Sequence, residues 1–205
     1  LSDEKERWSY FLLLNRECRT FDDLTGEEAE DYLYLIEENT LYIYGEKGIY
    51  ALKLSEKLPD AAEKISEYPV DFDYITGISV WQNQPVYQAE TYDEAYTLTE
   101  THLVWGNTEV ADATVSDTAA TDRYLYYIAT DGSKRYGSLY RFDGEKSTLL
   151  LEDASEVCCC NDKVYCIADY SQKSENGTLY VIRSGKKPKK VTDEATRLFV
   201  LSSAD

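Results

Sequence analysis

DASEVCCCNDKVYCIADYSQKSENGTLYVIRSGKKPKKVT, residues 153–192, is the stretch that decides the fold. Ser155 to Cys160 is a short apolar run, read as an inner strand. Asn161-Asp162 is a turn signal, because both side chains bond nearby backbone and tolerate positive φ. Lys163 to Ala168 is rich in β-branched and aromatic residues, hence a second strand. A polar loop from Ser171 to Asn176 closes at Gly177, and Thr178 to Ile182 is a third strand. Ser184-Gly185-Lys186-Lys187-Pro188 turns the chain into a short fourth strand, Lys189 to Thr192. Pro188 starts an edge strand, where a missing N–H does least harm.

Working outward, the preceding repeat matches this one position by position. Tyr124 to Ala129 aligns with Lys163 to Ala168, and Gly137-Ser138-Leu139-Tyr140 aligns with Gly177-Thr178-Leu179-Tyr180. Asp143-Gly144 stands for Ser184-Gly185. One repeat earlier, Asn83-Gln84-Pro85-Val86-Tyr87 keeps the turn and strand start, and His102 to Asn107 keeps the third strand and tip. The first repeat is compact, with Leu41 to Tyr44, the turn Gly45-Glu46-Lys47-Gly48, and Ile49 to Leu54. An aspartate returns at Asp31, Asp73, Asp112, Asp153 and Asp193, at spacings of 42, 39, 41 and 40. An aliphatic-Tyr pair follows four of them: Leu41-Tyr42, Val86-Tyr87, Leu125-Tyr126 and Val164-Tyr165.

A period of about 40 residues filled with short strands predicts an all-β protein, a β-propeller of four-stranded blades. The repeats run over 31–72, 73–111, 112–152 and 153–192 within one domain, 1–205. Residues 193–205 and 1–30 are expected to share a fifth blade. Leu198-Phe199-Val200-Leu201 would be its inner strand, with outer strands at Trp8 to Leu14 and Thr20-Phe21. Closing the ring this way removes sheet edges. A β-sandwich or an open β-repeat array is the alternative. Short helical turns are expected at Gly26 to Asp31 and Asp60 to Ser66.

The net charge is −18, from 39 acidic and 21 basic residues. That field argues against nucleic acid and anionic lipid as partners. Lys186-Lys187-Pro188-Lys189-Lys190 reads as a solvated hairpin tip. No apolar run of about 20 residues is present, so no membrane insertion by this segment is expected. The charged opening is not a signal peptide, and the chain starts at Leu1 without Met. A processed or excised segment is expected, with room for an anchor outside it.

Cys158-Cys159-Cys160 are consecutive, and adjacent cysteines pair only with strain. They read, with Cys166, as small apolar groups rather than a metal site, and no cofactor is expected. His102 is the single histidine, on a predicted strand, so no histidine-dependent nucleophile is expected and no catalytic residue is nominated. The recurring aspartates suit local turn bonds. The sharper alternative is a cation in a central channel.

Tyr124-Leu125-Tyr126-Tyr127-Ile128, Gly137-Ser138-Leu139-Tyr140, Gly177-Thr178-Leu179-Tyr180 and Gly185-Lys186-Lys187 resemble the Tyr-rich propeller-type repeats of Gram-positive bacterial cell-surface proteins. The resemblance is good from about Asp112 to Asp193 and implies an extracellular or cell-surface place, with a cytoplasmic one as the alternative. It carries over no functional residue. The expected function is a non-enzymatic module binding a protein, peptide or glycan through loop aromatics. Trp81, Trp105, Tyr92 and Tyr96 are the candidates, the two tyrosines in a long linker from Glu90 to Thr101. A carbohydrate-active enzyme using paired carboxylates, or a purely structural repeat of a larger protein, are the competing readings.

Overall fold

The computed structural model describes residues 10–14, 17–29, 32–55, 59–183 and 185–199. Trp8, Asp31, Ser184, Val200 and Leu201 lie outside the described residues.

The chain is all-β. Strands β1 (Phe11–Leu14) and β2 (Glu17–Thr20) pair as a two-stranded antiparallel sheet, followed by the short helix α1 (Phe21–Thr25). Four four-stranded sheets follow, each with its strands in sequence order. The first holds β3 (Leu33–Glu37), β4 (Thr40–Tyr44), β5 (Ile49–Lys53) and β6 (Glu63–Ser66). The second holds β7 (Tyr74–Trp81), β8 (Gln84–Tyr92), β9 (Leu98–Trp105) and β10 (Thr108–Asp112). The third holds β11 (Thr114–Ala120), β12 (Leu125–Thr130), β13 (Gly137–Phe142) and β14 (Ser147–Ala154). The fourth holds β15 (Glu156–Cys160), β16 (Lys163–Ser171), β17 (Asn176–Arg183) and β18 (Lys189–Ala195). Each repeat is therefore one four-stranded antiparallel meander.

The inner hairpins explain why the repeat is legible. Glu38-Asn39, Gln82-Asn83 and Asn161-Asp162 all have φ between 43° and 64°. Positive φ at both central residues is the two-residue turn whose twist suits paired strands. Counted from the second turn residue, Tyr42 and Tyr165 come three positions later, but Tyr87 comes four positions later. In a strand, one position is the other face. The aliphatic-Tyr pair of the second repeat is thus out of step with the first and fourth.

The Gly-Ser-Leu-Tyr and Gly-Thr-Leu-Tyr motifs have a steric cause. A Cβ on Gly137 would sit 2.0 Å from the Ala129 carbonyl oxygen, and one on Gly177 would sit 2.6 Å from that of Ala168. These glycines let the third strand start tight against the second. Opposite them, both outer strands carry a bulge, between Gly137 and Leu139 and between Gly177 and Leu179. The positive-φ residue of the bulge is Asp153 (48°) in one sheet and Glu194 (61°) in the next. Asp153 therefore corresponds to Glu194, not to Asp193. The recurring aspartates keep the period without sharing one structural position.

Several local expectations are corrected. Phe21 starts a helix rather than ending a strand. Thr20 caps it, accepting from the Asp23 N–H at 3.0 Å while the Asp23 carboxylate accepts from the Thr20 N–H. Gly26 ends that helix at φ 72°, and Gly26 to Ala29, the described part of the helical turn expected over Gly26 to Asp31, is not helical. The second expected turn, Asp60 to Ser66, holds strand β6, which pairs with β5. Leu198 and Phe199 are not in a strand. The long linker shrinks to Asp93–Thr97, because β8 runs on to Tyr92 and threonines at 97, 99 and 101 favour extended backbone into β9.

The chain forms two compact units: residues 1–71, 77–86 and 105–108, and residues 72–76, 87–104 and 109–205. In the first, Phe21, Leu24, Tyr32, Leu41, Ile43 and Leu52 are buried together. The buried Tyr32 hydroxyl donates within reach of the Glu27 carbonyl at 3.0 Å and the Asp22 carboxylate at 2.9 Å. Glu27 is 4% exposed, and its carboxylate accepts from the Lys47 N–H at 2.9 Å, bracing the Gly45–Gly48 turn. Desolvation, then Glu27, pushes the nearby Tyr50 phenol up to about 12.

In the second unit, Tyr126, Ile128 and Leu139 pack against Val164, Cys166 and Ile182. Tyr126 and Val164 fall on opposite parities of the repeat, so the third and fourth sheets meet by unlike faces. That is how stacked repeats bury both sides of each sheet.

Candidate functional site

Three places in the structure gather side chains that chemistry can use. The first is an aromatic shelf on the second unit. Tyr74 starts β7, Tyr92 ends β8, and Tyr96 lies in the Asp93–Thr97 turn. Tyr74 and Tyr96 are 56% and 82% exposed, and the Tyr74 and Tyr92 rings meet edge to face at 5.5 Å. Glu90 holds the shelf from below. Its carboxylate accepts from the Thr76 hydroxyl at 2.7 Å and the Tyr92 hydroxyl at 2.8 Å. That bond raises the Tyr92 phenol above its ordinary value, so the hydroxyl stays a donor at neutral pH. Asp73 accepts from the Tyr92 N–H at 2.8 Å and fixes the strand end. The Asp93 carboxylate accepts from the Ala95 and Thr97 N–H groups, each at 2.8 Å, and holds Tyr96 at φ 58°. The shelf is thus built by three carboxylates working on backbone and hydroxyl donors.

The structure brings Tyr92 near Tyr74 and places Tyr96 on the adjoining turn. Trp81 and Trp105 are elsewhere, in the first unit. Trp81 is 4% exposed. The Trp105 indole N–H donates to the Trp81 carbonyl at 3.0 Å, and the rings lie 5.1 Å apart. This pair braces the ends of two strands and presents little aromatic surface. Tyr74 and Glu90 were missed from sequence because they reach Tyr92 only through the pairing of β7 with β8. The signal was available in the alternation Tyr74-x-Thr76 against Glu90-x-Tyr92, which puts all four on one sheet face.

The second place is a cavity of about 360 Å³ in the second unit, lined by Asp117, Glu156, Cys158, Arg197 and the serines 116 and 155. It holds two carboxylates, the composition a glycosidase would need. Their oxygens are already used. Asp117 accepts from the Thr118 and Val157 N–H groups, each at 2.9 Å. Glu156 accepts from the Leu198 N–H at 2.6 Å and faces Arg197 at 3.7 Å. Asp117 pairs with Ile128 and Glu156 with Ile167, so they are the same position in successive repeats. Each carboxylate is a staple to the inner chain of the next repeat. Burial pushes the Asp117 carboxyl above its ordinary range, against the pull of its two backbone donors. The same desolvation raises the thiols of Cys158 and Cys159, which keeps them protonated and poorly nucleophilic.

The third place surrounds His102. Its Nδ1 lies 3.1 Å from Glu109, on the neighbouring strand. Asp112 and Glu100 are each 3.8 Å away, outside hydrogen-bond range. Among the described residues no cluster of His, Cys, Asp or Glu has a metal-holding arrangement. Of the recurring aspartates, Asp73 caps Tyr92 and Asp193 accepts from the Thr178 hydroxyl at 3.3 Å while pairing with Lys190.

No family model matches the chain, and no curated protein matches its sequence. Among solved structures, the chain is similar to the computationally designed Ika4 protein, at 14% identity over 79% of this chain and 96% of that one, with a TM-score of 0.40. It is similar to Sqt1 of Saccharomyces cerevisiae at 7% identity, over 95% of this chain and 59% of that one, TM-score 0.42. It is similar to BamB of Moraxella catarrhalis at 14% identity, over 80% and 52%, TM-score 0.33. The chain thus spans less than two thirds of Sqt1 and of BamB.

Proposed function

We propose that this chain is a non-enzymatic, extracytoplasmic binding module that takes a protein, peptide or glycan on the Tyr74–Tyr92–Tyr96 shelf. The shelf itself carries the reading. Exposed Tyr74 packed edge to face on the carboxylate-anchored Tyr92, with exposed Tyr96 on the adjoining turn, offers aromatic surface to a partner. Rings of this kind bind by area at low entropy cost, and exposed Tyr is enriched where proteins meet partners. The extracytoplasmic place rests on the resemblance to surface repeats. The carboxylate-pair enzyme has less support, since Asp117 and Glu156 are committed to backbone donors.

The scaffold in this reading is a propeller of five blades closed by the chain ends. The staples support it. Val157 donates to Asp117 and Leu198 donates to Glu156, so Leu198 stands one repeat beyond Val157, where a further inner strand would begin. Among the described residues the sheet of β1 and β2 has two strands, fewer than each of the other sheets.

The test is a glycan and peptide array on immobilised protein, repeated with Tyr74→Ala and Tyr96→Ala. Loss of the array hits with both variants, at unchanged melting temperature, supports the shelf. Hits that survive both substitutions would move the site elsewhere.

A further inference from the structure

The charge of the chain is unevenly placed. Residues 1–112 carry 25 acidic against 8 basic side chains, while residues 113–205 carry 14 against 13. In the second unit six cations lie at one end of the third and fourth sheets, in and beside turns that also hold Asp122, Asp143, Glu145 and Asp162. Arg123 is in the β11–β12 turn, and Arg141 lies opposite Tyr126 beside that turn. Lys163 opens β16 and pairs with Arg183, while Lys186 and Lys187 sit in the β17–β18 turn.

The two sheet ends adjoin. A Cβ on Gly185 would lie 3.7 Å from the Tyr124 hydroxyl. The Arg141 guanidinium lies over the Tyr124 ring at 4.8 Å. Tyr124 thus joins the tip of one hairpin to the cations of the other. None of these six cations has an ion pair with a carboxylate among the described residues, although such pairs form elsewhere on the unit. Asp143, the nearest acidic turn residue in sequence to Arg141, spends its carboxylate on the Glu145 and Lys146 N–H groups, at 3.1 and 3.0 Å. Edge protection explains lysines on an outer strand, and it covers Lys189 and Lys190 on β18. It does not cover cations in turns and on β16.

From this placement we infer that the turn end of the third and fourth sheets binds a flexible phosphate polymer of the polyphosphate type. This goes beyond the shelf and is independent of it. The cations are strung across two sheets, whose faces pack about 10 Å apart, rather than gathered in a cup. A single small anion would meet few of them, and a chain meets many. The acidic remainder repels anions, so only a ligand of high linear charge density gains enough from counterion release to stay. A flexible chain can bend from cation to cation across the two sheet ends, and a rigid duplex cannot.

The experiment is fluorescence anisotropy with end-labelled polyphosphate of several tens of units, from low to physiological salt. Binding is expected at low salt, with log affinity falling linearly in log salt. K186E/K187E should weaken it at least about tenfold and flatten the salt slope by about 1–2. K134E/K173E, at the other end of the same sheets, should leave it within about twofold. The single variants R183Q and K187Q carry the same test if the double variant fails to fold. No binding at low salt, equal losses in both double variants, or equal affinity for polyglutamate or duplex DNA would each overturn the inference.

Discussion

Removing the Asp117 carboxylate should loosen the third sheet from the fourth. In Asp117→Ala the Val157 N–H, at a residue 4% exposed, loses its acceptor. An orphaned buried donor costs about 1–3 kcal/mol. The Thr118 N–H is better placed to find water, so its loss adds about 0.5–1 kcal/mol. Relief of a desolvated carboxylate returns part of this, leaving about 2–3 kcal/mol. For a chain of this size 1 kcal/mol moves the melting temperature by about 2–4 °C, so a fall of about 4–12 °C is expected. Asp117→Asn keeps one acceptor and turns an amide N–H toward the other donor, so it should destabilise as well. The pH dependence separates the charge from the bond. The folded carboxyl lies above its unfolded value. The fold therefore binds the proton more tightly, and this residue's contribution falls as pH rises through that window. Asp117→Asn removes the slope, so the gap between wild type and variant should be larger near pH 4 than at pH 7. Chemical denaturation of wild type, both variants and Ser116→Ala at the two pH values measures all of this. A loss under about 0.5 kcal/mol for Asp117→Ala, or one matched by Ser116→Ala, would refute the staple.

Gly177→Ala should cost at least about 1–3 kcal/mol by overpacking against the Ala168 carbonyl, and Gly137→Ala more, as its gap is smaller; thermal melts rank them. Trp81→Ala should destabilise by about 3–5 kcal/mol and Tyr96→Ala by under about 0.5, because one is buried and the other exposed; equal melting shifts would contradict that contrast. Deleting residues 196–205 should lower the melting temperature and promote association if the ends share a blade, and light scattering with an unchanged monomer and melt would remove ring closure. Asp131, Asp143 and Asp193 have carboxyls held below the ordinary value, chiefly by the Ser133 hydroxyl, the Lys146 N–H and Lys190 respectively. Their contribution is present above the unfolded value and lost as pH falls through the folded ones, so Asp143→Ala should flatten the acid limb of a stability–pH profile.

What could be read from the chain was set by parity and turn chemistry. Asn161-Asp162 and the Gly-Thr-Leu-Tyr stretch specify a turn and a close strand approach through their own backbones, so they were legible in one dimension. The aspartate period was legible too, but its cause was not: Asp153 and Glu194 take the same positive-φ bulge position in successive sheets, so the aspartate count drifts off the structural one. Helix α1 was missed because its cap, Thr20-x-x-Asp23, lies in a stretch whose apolar residues also suit a strand. The shelf was half legible. Tyr92 and Tyr96 stood near a turn, whereas Tyr74 and Glu90 join them only through cross-strand pairing. The staples from Asp117 and Glu156 had no local signature, since the donor lies a whole repeat away.

Because every four-stranded sheet pairs only strands adjacent in sequence, its contacts close over short chain segments. Loop-closure entropy is then small for each sheet and is met before any neighbour is needed. A nascent chain can assemble its sheets one after another as they emerge, and native opening should proceed in the same quanta. Amides within a given sheet should exchange with solvent at a common rate, with steps between sheets. The buried packing between the third and fourth sheets, together with the bonds that reach across a repeat, sets how cooperatively those quanta melt. Local folding events are coupled by buried packing and by carboxylates such as Asp117, and substitution of Asp117 should change the sharpness of unfolding as well as its midpoint.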